Sequence, residues 1–179
     1  MRVLKTLALL ITSSLRDQIN QAGIAAYPLE CCGLMLGHLL TTSEDHARYG
    51  DNRQAIEIVA ADNRWDSSVQ ALTEPAEAIS VNGETVLDRH RRYWIDPEMM
   101  LKVQRQARDR NLDIIGVYHS HPNHPAMPSE CDRRLAWPVY SYVIISVQAK
   151  GGVDFRSWRL NEHHRFQAEA VKIVDKIRT

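Results

Sequence analysis

The chain has 179 residues, with 22 basic and 22 acidic side chains and no net charge when its eight histidines are neutral. Hydrophobic residues make up 44% and charged residues 25%, the balance of an ordinary globular domain large enough to bury a core without disulfide support. No basic stripe fits a nucleic-acid partner, no acidic tail fits a solvating role, and no segment approaches the roughly 20 apolar residues of a membrane span. Three cysteines, two of them adjacent at Cys31 and Cys32, make no disulfide framework and suit a reducing compartment. Met1–Ile11 has two basic residues and a short apolar run, as a secretory signal does. Lys5 interrupts that run, and no small-x-small cleavage site precedes Arg16 and Asp17. A first strand over residues 3–11 and a cytoplasmic address are the expectations.

Thr12-Ser13-Ser14 supplies helix N-caps, and Leu15, Ile19, Ala22 and Ala26 then recur at helical spacing until Pro28. Leu29–Gly37 reads as a central strand with Glu30 at its entrance. A polar loop over 38–52 leads to a strand over 55–61. Residues 62–90 are weakly patterned and read as an insertion with a short helix around Glu74–Ile79. Arg92–Ile95 regains strand character. Asp96-Pro97-Glu98 then opens a helix to about Arg110, with an N-cap, a proline at the first helical position and an acid in the first turn. Leu112–Tyr118 is an apolar, β-prone run. Ser129 begins a short helix closed by Pro138, and Tyr140–Val147 and Val153–Leu160 form a hairpin around Lys150-Gly151-Gly152. The tail over 162–179 is predicted to be helical, with Phe166, Ala170, Ile173 and Val174 on one face. Alternating strands and helices indicate a layered α/β domain with a mixed sheet.

The chemistry concentrates after the Leu112–Tyr118 run. His119 and His121 are two apart, so on a strand their imidazoles share a face while Ser120 turns away to bond elsewhere. Prolines at 122, 125 and 128 stiffen the loop that follows, and Asp132 lies one helical turn beyond Ser129 on the same side. Two imidazoles and a carboxylate, with a fourth position left for water, are the ligand set of a hydrolytic Zn²⁺ site. Such a site needs a general base and an oxyanion donor. Glu30, between Pro28 and Gly33, is the leading distant base, and the Ser129 hydroxyl is placed to donate. His124, between prolines, reads as lining the cleft. Cys131 points about 100° away from Asp132 around the helix, so it reads as packing, as do Cys31 and Cys32. The four tryptophans read as core anchors, with Trp65 the best candidate for a cleft-lining exception.

Pro28-Leu-Glu-Cys-Cys-Gly-Leu-Met-Leu-Gly37, with His119-Ser-His-Pro122, six residues, Ser129, two residues and Asp132, resembles the JAMM signature of the JAB/MPN-plus metalloproteases. The resemblance spans roughly residues 3 to 160. It implies that His119, His121 and Asp132 bind Zn²⁺, that Glu30 is the general base, and that Ser129 helps to hold the oxyanion. It implies one domain over 1–179 with the cytidine-deaminase-like α/β sandwich, a curved mixed sheet flanked by helices. Relatives cleave peptide or isopeptide bonds after the C-terminal Gly-Gly of ubiquitin and ubiquitin-like proteins. So short a chain is most similar to stand-alone prokaryotic members, for which a ubiquitin-like sulfur carrier or its adduct is the expected substrate. Only about eight residues separate Asp132 from the next strand, which leaves no room for the second insertion of polyubiquitin-cleaving relatives. The alternative is a catalytically quiet binding module of the same fold, which loss of a ligand or of Glu30 would indicate; all are present. A nucleoside deaminase would require His-x-Glu and Pro-Cys-x-x-Cys, and neither occurs.

Overall fold

The computed structural model describes residues 7–40, 52–73 and 89–175. In chain order these form β1 (Ala8–Ile11), α1 (Ser13–Ala26), β2 (Cys32–Leu40), β3 (Asn52–Ala61), α2 (Ser67–Thr73), α3 (Pro97–Arg108), β4 (Asp113–Pro122), α4 (Glu130–Leu135), β5 (Ser141–Val147), β6 (Val153–Leu160) and β7 (Phe166–Ile173). The strands join in the order β1-β3-β2-β4-β5-β6-β7, and the sheet closes because β1 also pairs with β7. β4 and β5 run parallel, with α4 in the crossover between them, whereas β2 is antiparallel to both β3 and β4. Among the described residues, no helix is long and apolar enough to cross a membrane.

Two apolar clusters hold the sheet from its two faces. α1 is capped by Thr12, whose hydroxyl accepts a hydrogen bond from the Leu15 amide at 3.2 Å. It buries Leu15 and Ile19 against Leu9, Met35, Ile115 and Val143. α3 is capped by Asp96, which accepts from the Glu98 amide at 2.8 Å, and Pro97 stands at its start. It buries Val103 and Ala107 on the opposite face with Leu34, Leu36, Ile114 and Val117.

A bulge in β4 decides which face receives the histidines. Met35 pairs with Gly116 and Leu36 with Ile114, so Ile115 is an extra residue. Ile114 and Val117 consequently lie on the α3 face, while Ile115 and Tyr118 lie on the α1 face. The side-chain phase shifts by one, and His119 and His121 continue the α3 face. Regular alternation puts the two histidines together; the bulge puts them beneath the 92–96 segment and α4 rather than beneath α1.

Several expectations need correction. The tail is β7 rather than a helix. Asn161 Oδ1 accepts from the amides of His163 and Arg165, both at 3.0 Å, and the turn it builds folds the chain back along β6. Pairing with β6 on one side and β1 on the other then overrides local helical propensity. That added strand closes the sheet, a closure the sequence did not announce; the mixed α/β character holds, with α1 and α3 packed on its two faces. Arg92–Ile95 is extended but joins no ladder; its backbone bonds to the segment after β3 instead. The 62–90 region holds α2, while the helix expected at Glu74–Ile79 lies outside the described residues. Residues 1–6, part of the expected first strand, also lie outside them.

Candidate metal centre and active site

His119, His121 and Asp132 each offer one ligand atom, and these atoms lie within 4.8 Å of one another. β4 delivers the histidines from its C-terminal end, and α4 delivers the carboxylate. Nε2 of His119 stands 3.1 Å from Nε2 of His121 and 3.2 Å from Asp132 Oδ1, and His121 Nε2 stands 3.7 Å from Asp132 Oδ2. His121 Nδ1 lies 2.9 Å from the Pro125 carbonyl, an acceptor only, so Nδ1 carries a proton and the Nε2 lone pair of the neutral form turns inward. Two imidazole nitrogens facing each other across an ionised carboxylate fit a divalent cation of the Zn²⁺ type.

Ser129 N-caps α4 in a full capping box. Its hydroxyl and its backbone N–H each donate to Asp132 Oδ2 at 2.6 Å, and its oxygen accepts from the Asp132 amide at 3.1 Å. Burial opposes ionisation of Asp132, but the facing His119 and the bonds from both histidines and Ser129 outweigh it. The carboxyl is held well below its usual range. Burial lowers the pKa of His119; for His121, the facing Asp132 and Glu30 overcome burial and raise it.

Glu30 reaches this site from two residues before β2. Ser120, turned away from the histidines as alternation demands, accepts from the Cys31 amide at 2.8 Å and donates its own amide to the Cys31 carbonyl at 3.1 Å. The strand that presents the two histidines therefore also fixes the backbone beside Glu30. Glu30 is only 5% exposed, and burial pushes its carboxyl up to about 8 against the pull of His121. It lines a cleft of about 260 Å³ with His121, Ser129, His124, Pro125, Met127, Arg91 and Arg92. All five residues singled out from the sequence thus meet in one place, and His124 lines the cleft as expected. Burial pushes the Cys31 thiol up to about 11 and Cys32 up to about 12, and neither stands in the His119–His121–Asp132 cluster. Cys131 is buried, consistent with packing.

Sequence reasoning missed the part that four residues play. Tyr93 stacks on His119 with ring centroids 4.3 Å apart and planes 23° from parallel, fixing the ring that lacks a partner at Nδ1 among the described residues. Asn63 was legible only as turn punctuation. Its Nδ2 donates to the Glu30 carbonyl at 3.1 Å and to the Arg92 carbonyl at 2.9 Å, and its Oδ1 accepts from the Trp65 and Trp94 amides. Arg91, and Arg92 at the head of a run read as a strand, gave no signal of a cleft position beyond their charge. Trp65, the best candidate for a cleft position, is 2% exposed and belongs to the core, while Trp137 is 68% exposed.

Residues 12–161 match the family model for prokaryotic homologs of the JAB domain. The chain is 35% identical over 84 residues to a protein named desampylase from Pyrococcus furiosus, covering 46% of this chain and 55% of that one. It is 31% identical over 102 residues to the desampylase of Haloferax volcanii, covering 56% of this chain and 70% of that one. The match therefore spans little more than half the length of the Pyrococcus relative. Among solved structures, a Desulfitobacterium hafniense protein superposes with a TM-score of 0.67 at 23% identity, covering 94% of both chains. A Salinibacter ruber protein does so at 0.59 and 29% identity, over 92% of this chain and 91% of that one.

Proposed function

The chain belongs to the prokaryotic homologs of the JAB domain, and on that premise we propose that it is a zinc-dependent peptidase or isopeptidase. Its substrate in this reading is a ubiquitin-like protein of the sulfur-carrier type, cut after its C-terminal Gly-Gly. The relatives support the substrate class: two are named desampylase, and a third, from Thermus thermophilus, is named a probable TtuB-protein conjugate cleaving protease. The observation that carries the reading is the meeting of Glu30 with the His119–His121–Asp132 cluster in one cleft.

His119, His121 and Asp132 would hold the ion. A bound Zn²⁺ supplies Lewis acidity, acidifying water and drawing charge from a carbonyl. Glu30 takes the proton of the attacking water and delivers it to the amine that leaves, so one buried carboxyl serves first as base and then as acid. Ser129 turns its hydroxyl to the developing oxyanion. Its backbone N–H bonds the same Asp132 oxygen, so Asp132 keeps an anchor when the hydroxyl leaves it. Glycines suit the acyl side, because an extended backbone without side chains can pass through a narrow cleft.

Elemental analysis should find close to one zinc per chain, and incubation with Gly-Gly-ended carrier fusions should give a cut after the second glycine, located by mass. Glu30→Gln should retain zinc and lose cleavage. Normal turnover by that variant would refute the assignment of the base, and failure to take up any divalent metal would refute the site.

A further inference from the structure

The loop from Asn123 to Pro128 joins the strand that carries the histidines to the helix that carries Asp132. Asn123, His124, Pro125 and Met127 are exposed, while Ala126 in its middle is fully buried. The start of the loop is fixed by Asn123, whose amide donates to the Val147 carbonyl at 2.8 Å and whose Nδ2 donates to the Tyr27 hydroxyl at 2.9 Å. Its end is fixed by the Ser129 capping box. Its middle is held from outside the metal motif, by Trp158 of β6, whose Nε1–H donates to the Ala126 carbonyl at 3.0 Å.

That carbonyl belongs to the peptide between Ala126 and Met127. The same planar unit carries the Met127 N–H, which points the opposite way and donates to the Pro125 carbonyl at 2.8 Å, closing a tight turn around Ala126. The Pro125 carbonyl is also the acceptor for His121 Nδ1. Three hydrogen bonds in series therefore run from the indole, through one rigid plane, to the imidazole. A half-buried indole needs an acceptor for its N–H, and any nearby carbonyl would meet that need. This acceptor differs in that its own peptide aims the carbonyl that orients His121.

We propose that Trp158 is a positioning residue for His121. It holds the Pro125 carbonyl on Nδ1, so that the proton of the neutral ring stays there and the Nε2 lone pair faces His119 and Asp132. The consequence for metal affinity rests on the metal-centre reading; the consequence for the His121 tautomer stands without it.

Replacing Trp158 by benzothienylalanine, which has sulfur where indole has N–H, removes the donor and keeps the bicyclic shape. Trp158→Phe is the simpler counterpart. Phe166→Leu, in the same apolar cluster, controls for lost packing. In metal-free protein at alkaline pH, long-range proton–nitrogen NMR spectra should show His121 protonated at Nδ1 in the wild type and in Phe166→Leu. Both Trp158 variants should show a mixture of Nδ1–H and Nε2–H forms. Zinc affinity, measured by chelator competition, should fall about tenfold in both Trp158 variants, as for loss of an outer-shell partner, and less than about twofold in Phe166→Leu. An unchanged tautomer in the benzothienylalanine protein overturns the proposal, and so does an equal change in Phe166→Leu, which would make Trp158 a packing residue only. A wild type that takes up no zinc refutes the metal centre instead, and the tautomer then decides the role of Trp158 alone.

Discussion

As the proposed base, Glu30 must be ionised to accept a proton, yet it stands in a place that penalises charge. Its folded-state pKa near 8, against an ordinary 4.5, is set by burial. In the metal-free protein the carboxyl stays protonated while the unfolded chain ionises, so Glu30 costs nothing below pH 4.5. Its cost grows as pH rises to about 8 and is constant above. The gap of about three and a half units amounts to roughly 5 kcal/mol at full extent. Glu30→Gln should therefore raise the melting temperature of metal-free protein at pH 8 and leave it nearly unchanged at pH 4.5. A pH-independent difference would mean that Glu30 is not buried neutral. Ser129 yields a second residue-scale outcome. Because its backbone N–H also holds Asp132, Ser129→Ala should keep zinc with less than about a tenfold loss of affinity, but should lower kcat about a hundredfold. Metal titration beside single-turnover kinetics separates the two effects; lost metal with an intact rate per bound zinc would reduce Ser129 to a cap.

At the scale of elements, the site is a junction of chain ends, and Asn63 ties it. All four hydrogen bonds of that one side chain are made, joining the approach to β2, the exit of β3 and the extended 92–94 segment. Asn63→Ala touches no candidate metal ligand and meets Glu30 only at its backbone carbonyl, yet it strips two carbonyls and two amides of their partner. A loss of about 2–3 kcal/mol in chemical denaturation is expected, together with a fall in kcat as Glu30 loosens. Unchanged stability would show that water replaces the amide at no cost. Why the ligands were readable and this clamp was not follows from the chemistry. His-x-His, Ser129 and Asp132 are constrained by local periods, two on a strand and three on a helix turn, so their meeting can be inferred from spacing. Asn63 bonds carbonyls some thirty residues away on each side, and nothing in its neighbours encodes that. The Ile115 bulge was hidden for a different reason. With apolar residues on both faces of β4, the pattern has no polar stripe to reveal a change of phase.

Taken whole, the molecule closes through a strand whose deepest side chain is an acid, and this explains why β7 read as a helix. Glu169 is buried, 3.8 Å from both Arg53 and Arg159, and accepts from the Ser157 hydroxyl at 2.6 Å. A buried ionic seam leaves no apolar alternation to detect, whereas β5, buried throughout, was plain from its composition. Such seams contribute less to net stability than apolar packing of the same volume, so the metal centre, bridging β4 and α4, should add stability to the fold as a whole. With zinc at a thousand times its dissociation constant, the folded state gains about 4 kcal/mol and the melting temperature about 10 °C; EDTA should reverse both. The ligands must be deprotonated to bind, and a dication also draws the proton from Glu30. With the pKa of His121 raised and that of Glu30 near 8 in the empty site, zinc binding at pH 7 should release between about one and two protons. Titration calorimetry in buffers of different ionisation enthalpy measures that number directly, and Glu30→Gln should lower it by about one. If the variant released as many protons as the wild type, Glu30 would already be ionised beside the empty site, and the account of its burial given above would fail with it.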